Sequence, residues 1–505
     1  MQINAIKRIL DRYPYLEKRS VGFPDVGKRG DNKSFSKVVD DVREGFSFYN
    51  DIMTKYYNPK RDYNFTSGNP LNYKVFGPTR DALIKTILRD DLYKYPYSEG
   101  DDRVRVELLK YIESEGIYND NPYDYDDIDD KGLSINNLTL TASTSHAFDL
   151  ILDIIARDND VILMTAPNYG LFSFKPERKN ISVEVINLDK EDNYLVNPSK
   201  LDKKIKEINK RLKEEYKDSC YIPKVVAFVN GNPCNPTGKV MGIKQIDILK
   251  GIGEICVKND LFIIDDLIYR DITYDRDNIA LPMASLSGMF KNTITLFGLS
   301  KSYGLASFRA GFVVADEVII REVINKIFQQ MDAVPVIIGE ALKGSFQVNK
   351  KRNIKYNKYF KVVNREYLYR YQLLKSLVMG IGSVDKKYHK YILKKVKHVN
   401  SDGLKLLQNG IDSVNIIDGL EPEAGFFVIL DFTPLKGKKY KEEVINTEED
   451  LVRIFYKTIH LRFIIGKSMA WSNSNQLIGR FTFAKDEAEI INAFLLMNDI
   501  IDKLN

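Results

Sequence analysis

The chain has 505 residues, 44% of them apolar and 29% charged, with a formal net charge of +6. This is the composition of a globular protein long enough for two or three domains, and it excludes a low-complexity, disordered or fibrous chain. The N-terminal stretch MQINAIKRILDRYPYLEKRS breaks every apolar run with charge and no span of about 18 apolar residues follows, so neither a signal peptide nor a membrane helix is expected.

Residues 1 to about 60 are charged and rich in tyrosine and lysine, an extension expected to be helical in pieces, to which the sequence assigns no role. Phe65-Thr66-Ser67-Gly68-Asn69-Pro70 then breaks the pattern with a turn where backbone can approach a ligand, although a plain turn reads equally well. In KYPYSEGDDRVRVELLKYI, Tyr95 and Tyr97 stand in a loop that leads into a helix with Val104, Leu108, Leu109 and Ile112 on one face. From Leu133 to about Asp316 short β-branched runs alternate with amphipathic helices. Strands are predicted near Leu138 to Thr141, Val161 to Thr165, Val183 to Ile186, Lys224 to Val229, Leu261 to Ile264, Thr293 to Phe297 and Gly311 to Val314. Such alternation implies an α/β fold, a mostly parallel seven-stranded sheet covered by helices on both faces.

The strand ends carry the chemistry, because open α/β sheets bind ligands beyond the carboxyl ends of their strands. Ser143, Thr144 and Ser145 begin a helix, collecting hydroxyls and free N–H groups where an anion could sit, though such residues also cap ordinary helices. Tyr169, in APNYGLF, could stack on a flat ring. The loop NGNPCNPTGKV, Asn230 to Val240, is stiff and rich in amide donors, suited to holding a phenolate oxygen. Asp266 at the end of an apolar strand needs a cationic partner, which a protonated pyridine nitrogen would supply, unless it caps a helix; Tyr269 follows one turn on. In FGLSKSYGLASFRAG, Phe297 to Gly311, the Lys301 amine can condense with an aldehyde and Arg309 offers bidentate donors to a phosphate.

Between Lys343 and Lys397 sixteen lysines and arginines face only Glu366 and Asp385, so the rest of the chain is net acidic. Tyr356, Tyr359, Tyr367, Tyr369 and Tyr371 interleave with this tract, a composition that a nucleic-acid surface would use. Long helices with solvated basic faces and inward tyrosines explain it more simply, and no helix-turn-helix segment is evident. The acidic run from Asn119 to Asp130 could meet this tract or form a surface loop. The cysteines (Cys220, Cys234, Cys256) and histidines (His146, His389, His398, His460) show no paired ligand spacing. This argues against a disulfide scaffold or a metal site and for a reducing, cytoplasmic setting.

Taken together, SGNP at Ser67, Tyr95 with Gly100, STS at Ser143, PNYG at Pro167, NPTG at Asn235, Asp266 with Tyr269, Ser300-Lys301 with Arg309, and GRF at Gly479 resemble the class I/II aminotransferases, the aspartate aminotransferase-like group of fold type I pyridoxal phosphate enzymes. The ordered set runs from Gly68 to Arg480. The resemblance implies that Lys301 forms the internal aldimine with pyridoxal 5'-phosphate, that Ser143, Thr144, Ser145, Ser300 and Arg309 surround its phosphate, and that Tyr169 stacks on its ring. It implies that Asn235 and Tyr269 bond the phenolic oxygen, that Asp266 keeps the ring nitrogen protonated, and that Arg480, Asn235 and the Gly68 backbone clamp a substrate α-carboxylate. Tyr95 would reach across from the second subunit of a homodimer. It further implies an N-terminal extension (1–60) contributing to a small domain, a large cofactor-binding domain (61–335), and a smaller α+β C-terminal domain (336–505) with a basic insertion near 343–397. Gly298, where many relatives carry a serine, and Ser307, in place of a common glycine, depart from the pattern. The activity so implied is transfer of an amino group between an amino acid and a 2-oxo acid. A C–S lyase or decarboxylase on the same fold, or a non-catalytic protein that binds nucleic acid or an acidic partner, are the alternatives.

Overall fold

The computed structural model describes residues 37–58, 61–119, 132–347, 358–471 and 475–505, with positions 7, 9 and 11. The described part of the N-terminal extension includes the helix Lys37–Tyr56, where Val39, Val42, Tyr49, Ile52 and Met53 recur at helical spacing and bury one stripe. After it comes β1 (Tyr63–Asn64).

The large sheet contains β2 (Leu138–Thr141), β3 (Val161–Ala166), β4 (Ser182–Asn187), β5 (Val225–Gly231), β6 (Phe262–Asp266), β7 (Thr293–Gly298) and β8 (Gly311–Val314) in the order β2-β8-β7-β6-β5-β3-β4. Every pair is parallel except those of β8, which runs antiparallel to both neighbours. Residues alternate between two cores: Val161 and Leu163 belong to one, Ile162 and Met164 to the other. Both faces are therefore covered, as the apolar runs require. Truncating a fully buried ring such as Phe228 should cost about 3–5 kcal/mol.

The C-terminal part adds β9 (Asn415–Ile416), β10 (Phe427–Asp431), a hairpin of β11 (Lys439–Tyr440) and β12 (Glu443–Val444), then β13 (Leu461–Arg462), β14 (Ile464–Ile465) and β15 (Ile478–Thr482). β13 pairs with β1, and a second, antiparallel sheet runs β14-β15-β10-β9. One core continues from the large sheet into this second sheet through Phe426, Phe427, Ile429 and Phe481.

The basic tract forms helices Lys358–Met379 and Lys386–Val399. Tyr367 and Tyr371 are buried, while Tyr359 and Tyr369 are half-buried and packed against apolar clusters, so these rings are spent on packing. The acidic run beyond Asn119, the stretch from 348 to 357 with Tyr356, and most of residues 1–36 lie outside the described residues. No helix among the described residues is long and apolar enough to cross a membrane.

Candidate active site

Segments from both sheets and the loops beside them contribute to one cavity of about 990 Å³. Its wall includes Gly68, Ser143, Thr144, Ser145, Tyr169, Asn235, Asp266, Tyr269, Ser300, Lys301, Arg309 and Arg480. Residues up to 412 positions apart in sequence are thus brought together, and all the expected residues except Tyr95 are among them. Tyr95 lies outside, 88% exposed.

The helix Thr144–Ile155 follows β2 directly, and its cap, Ser143, accepts from the N–H of His146. Ser143 holds φ 102° and ψ 161°, a conformation that a residue with a side chain rarely adopts and that clusters at functional sites. Gly311 permits it: a Cβ there would lie 3.0 Å from the Thr144 nitrogen and 2.9 Å from the Ser143 carbonyl carbon. Gly298 is explained in the same way, since its missing Cβ would meet the Thr144 methyl at 3.2 Å and Ile268 at 2.9 Å. Arg309, in left-handed conformation, is exposed, and its Nη1 donates to the Ala306 carbonyl, 2.9 Å away. Hydroxyls, a helix start and a guanidinium therefore all line the cavity, a set of groups suited to a phosphate.

Lys301 leaves β7 into the cavity and its Nζ donates to the Gly68 carbonyl at 2.7 Å. Burial, reinforced by Arg480 and Arg309 and opposed by Asp266, pushes its amine down to about 8. A Cβ at Gly68 would stand 3.2 Å from that nitrogen, so the turn read from the sequence is a close approach of backbone to the amine. Asp266, 8% exposed, ends β6 and accepts from the Ile268 N–H at 3.2 Å, so it does turn the chain; burial pushes its carboxyl up to about 6. Tyr269 lies with its ring centroid 5.9 Å from the Lys301 amine.

Arg480, on β15, is buried and has no acidic partner among the described residues. Its Nη1 donates to Asn235 Oδ1 at 3.1 Å, its Nη2 to the Thr66 carbonyl at 2.8 Å, and it stacks 4.1 Å over Phe427. Nε has no hydrogen-bond partner, and burial pulls the group down to about 10. Among the described residues this buried cation is held by neutral acceptors, so a carboxylate would supply its missing counter-charge.

The sequence reading missed part of the wall. Phe46, Met53 and Tyr57 come from the N-terminal helix and the turn after it, and Asn64, Arg462 and Ile464 come from β1, β13 and β14. The helix's apolar stripe was visible, but a stripe does not reveal which of its residues face a cavity.

A large doubly covered sheet, with a second sheet beside it and a lysine, an aspartate and an arginine in one cavity, makes this an α/β fold whose polar site lies at the strand ends. Residues 62–489 match the family described as aminotransferase class I and II, and the chain belongs to that family. Over 110 residues it is 39% identical to an aspartate aminotransferase of Pyrococcus abyssi (22% of this chain, 27% of that one). It is 24% identical over 261 residues to a tyrosine aminotransferase of Dictyostelium discoideum (51% and 54%). An aspartate aminotransferase of Musicola paradisiaca is 26% identical over 192 residues, 37% of this chain and 42% of that one. These matched stretches span between about a quarter and a half of the relatives' lengths. The fold extends further. The aspartate aminotransferase of Rhizobium meliloti superposes with a TM-score of 0.68 at 15% identity over 96% of this chain and all of that one. A Thermus thermophilus aspartate aminotransferase with maleate gives 0.64 at 14% identity over 92% and 97%.

Proposed function

We propose that the chain is a pyridoxal 5'-phosphate-dependent aminotransferase that moves an amino group between an amino acid and a 2-oxo acid. The observation that carries this reading is the meeting of a partly neutral lysine, a buried aspartate and an arginine buried among neutral acceptors in one cavity. When bound, pyridoxal phosphate supplies an aldehyde for the substrate amine and a ring that withdraws electrons from the substrate α-carbon. Ser143, Thr144, Ser145, Ser300 and Arg309 would hold its phosphate, Asp266 the proton on its ring nitrogen, Asn235 and Tyr269 its phenolic oxygen, and Tyr169 its ring face.

The other roles belong to the protein. Arg480 binds the α-carboxylate, with Asn235 fixing the guanidinium plane. That orients the α-carbon toward Lys301, whose Nζ is held on the Gly68 carbonyl. At neutral pH a fraction of this amine is already unprotonated and can take the α-proton as general base, then return it at a neighbouring carbon.

The same reading includes a homodimer in which Tyr95 serves the partner's site, and a reducing, cytoplasmic setting. The division into 1–60, 61–335 and 336–505 also remains a proposal. The helix Val336–Phe346 packs against the helices Gly77–Ile87 and Asp102–Ser114, which favours assigning it to the larger unit. The test is keto-acid formation from a panel of amino acids with and without an acceptor keto acid. Sustained turnover only with the acceptor supports transamination; equal turnover without it overturns the reading in favour of elimination or decarboxylation.

A further inference from the structure

Lys301 holds its amine on the Gly68 carbonyl, so the position of that carbonyl decides where the amine points. The stretch that carries Gly68 is pinned on both sides. Upstream, the Thr482 N–H donates to the Phe65 carbonyl at 3.1 Å and Arg480 Nη2 to the Thr66 carbonyl at 2.8 Å, which ties the stretch to β15. Downstream, the Leu71 N–H donates to the Tyr367 hydroxyl at 3.0 Å. Tyr367 lies on the basic helix Lys358–Met379, 296 residues further along the chain, and is fully buried. Its ring stacks on Phe426 with centroids 5.3 Å apart, and Phe426 in turn meets Tyr269 edge-to-face at 5.5 Å. One side chain of the basic tract therefore supports the Gly68 turn with its oxygen and backs Tyr269 with its ring.

The hydroxyls of Tyr73 and Tyr367 are hydrogen-bonded at 3.3 Å, and the Tyr73 ring covers Gly304, where a Cβ would come within 3.1 Å of it. Gly304 closes the turn that begins at Lys301, its N–H donating to the Lys301 carbonyl at 3.2 Å. Tyr359, on the same helix as Tyr367, packs against Tyr73 with centroids 6.0 Å apart and donates to the Tyr303 carbonyl at 3.4 Å. The backbone on both sides of the Lys301 amine is thus fastened to one helix. Tyr371 supplies a contrast: it is buried one turn beyond Tyr367, yet its hydroxyl has no hydrogen-bond partner among the described residues. Removing the Tyr367 oxygen would leave the Leu71 N–H buried and unpaired, a state so costly that the stretch carrying Gly68 shifts to relieve it.

We infer that Tyr367 is a positioning residue for the site, holding the Gly68 turn, and through it the Lys301 amine, where that amine meets an aldehyde. The inference rests on the aminotransferase reading above, and its test separates the two. Full-length cofactor-free protein is mixed with pyridoxal 5'-phosphate, capture is followed by absorbance, and the adduct on Lys301 is counted by mass spectrometry after borohydride reduction. Tyr367→Phe, which keeps the ring on Phe426, should slow capture about tenfold, the effect of a small misplacement of a reacting group. In steady state the loaded variant should lose kcat while KM stays within about twofold, because Arg480 keeps its own partners. Tyr371→Phe, the same change one turn along the helix, should leave capture and kcat unaltered. Tyr73→Phe removes the neighbouring hydroxyl but leaves the Leu71 bond, and should slow capture by about twofold to threefold. It carries the test if Tyr367→Phe does not fold, and unchanged capture in it then overturns the inference. Capture by folded Tyr367→Phe at the unaltered rate, an unchanged kcat, or an equal slowing in Tyr371→Phe overturns the inference and leaves the aminotransferase reading intact. An unaltered protein that forms no adduct on Lys301 overturns both.

Discussion

At Lys301 one nitrogen has two requirements, and its surroundings meet both. It must be neutral to join an aldehyde or accept a proton, and an exposed lysine is almost wholly charged at neutral pH. Burial beside Arg480 and Arg309 lowers it to about 8. The neutral fraction therefore grows as pH rises through that value. Borohydride trapping of pyridoxal phosphate on this side chain should increase across pH 7 to 9, and a flat profile would contradict the assignment. Lys301→Ala should abolish both the trapped adduct and turnover; turnover at the level of the unaltered protein sinks the site. Asp266 is the complementary case, a buried carboxylate whose ionised form needs a cation close by. Asp266→Ala should lower kcat by about a hundredfold to a thousandfold, the scale of a lost preorganised charge, while near-native circular dichroism shows that the fold survives.

The elements that deliver these residues were mostly legible, and the exceptions have physical causes. β2, β7 and β8 announced themselves through β-branched runs. β5 and β6 continue beyond their apolar stretches because Asn230 pairs with Asp265 and Gly231 with Asp266 across the ladder, and polarity concealed those strand ends. The pairing is chemical as well as geometric: Asn230 Nδ2 donates to Asp265 Oδ1 at 2.8 Å, and the Met283 N–H donates to Oδ2 at 2.8 Å. Even so, burial with Asp266 alongside pushes the Asp265 carboxyl up to about 7. The folded chain then holds a proton that the unfolded chain releases near 3.8, so stability is fullest below that value and declines as pH climbs toward about 7. Asp265→Asn removes the titration and, with the Asn230 amide turned over, keeps the bonds. It should raise the stability of the cofactor-free protein at pH 8 by about 1–3 kcal/mol and flatten its melting temperature between pH 5 and 8. A variant whose melting temperature falls with pH as steeply as before rules this out.

On the scale of the whole molecule, the pairing of Arg462 with Asp62 could not be read from the sequence, because residues 400 apart meet only when β13 closes on β1. Tyr95 poses the converse problem: its motif was visible, yet a single chain leaves it in solvent. It belongs to a run in which Ile84, Ile87, Leu88, Tyr93, Tyr95 and Tyr97 are 52%, 64%, 76%, 80%, 88% and 77% exposed. So many large apolar groups within one helix end and the adjoining loop would suit the interface of the proposed homodimer. If a second copy covers them, the protein sediments at twice the chain mass at micromolar concentration. Leu88→Glu should then shift it toward monomer, because a charge is introduced where apolar contact is needed. Tyr95→Phe should leave the mass unchanged but weaken cofactor retention, since only a hydroxyl offered to the partner's site is lost. A protein that remains monomeric at high concentration, with retention indifferent to Tyr95, would show that the tyrosine serves neither the interface nor the site.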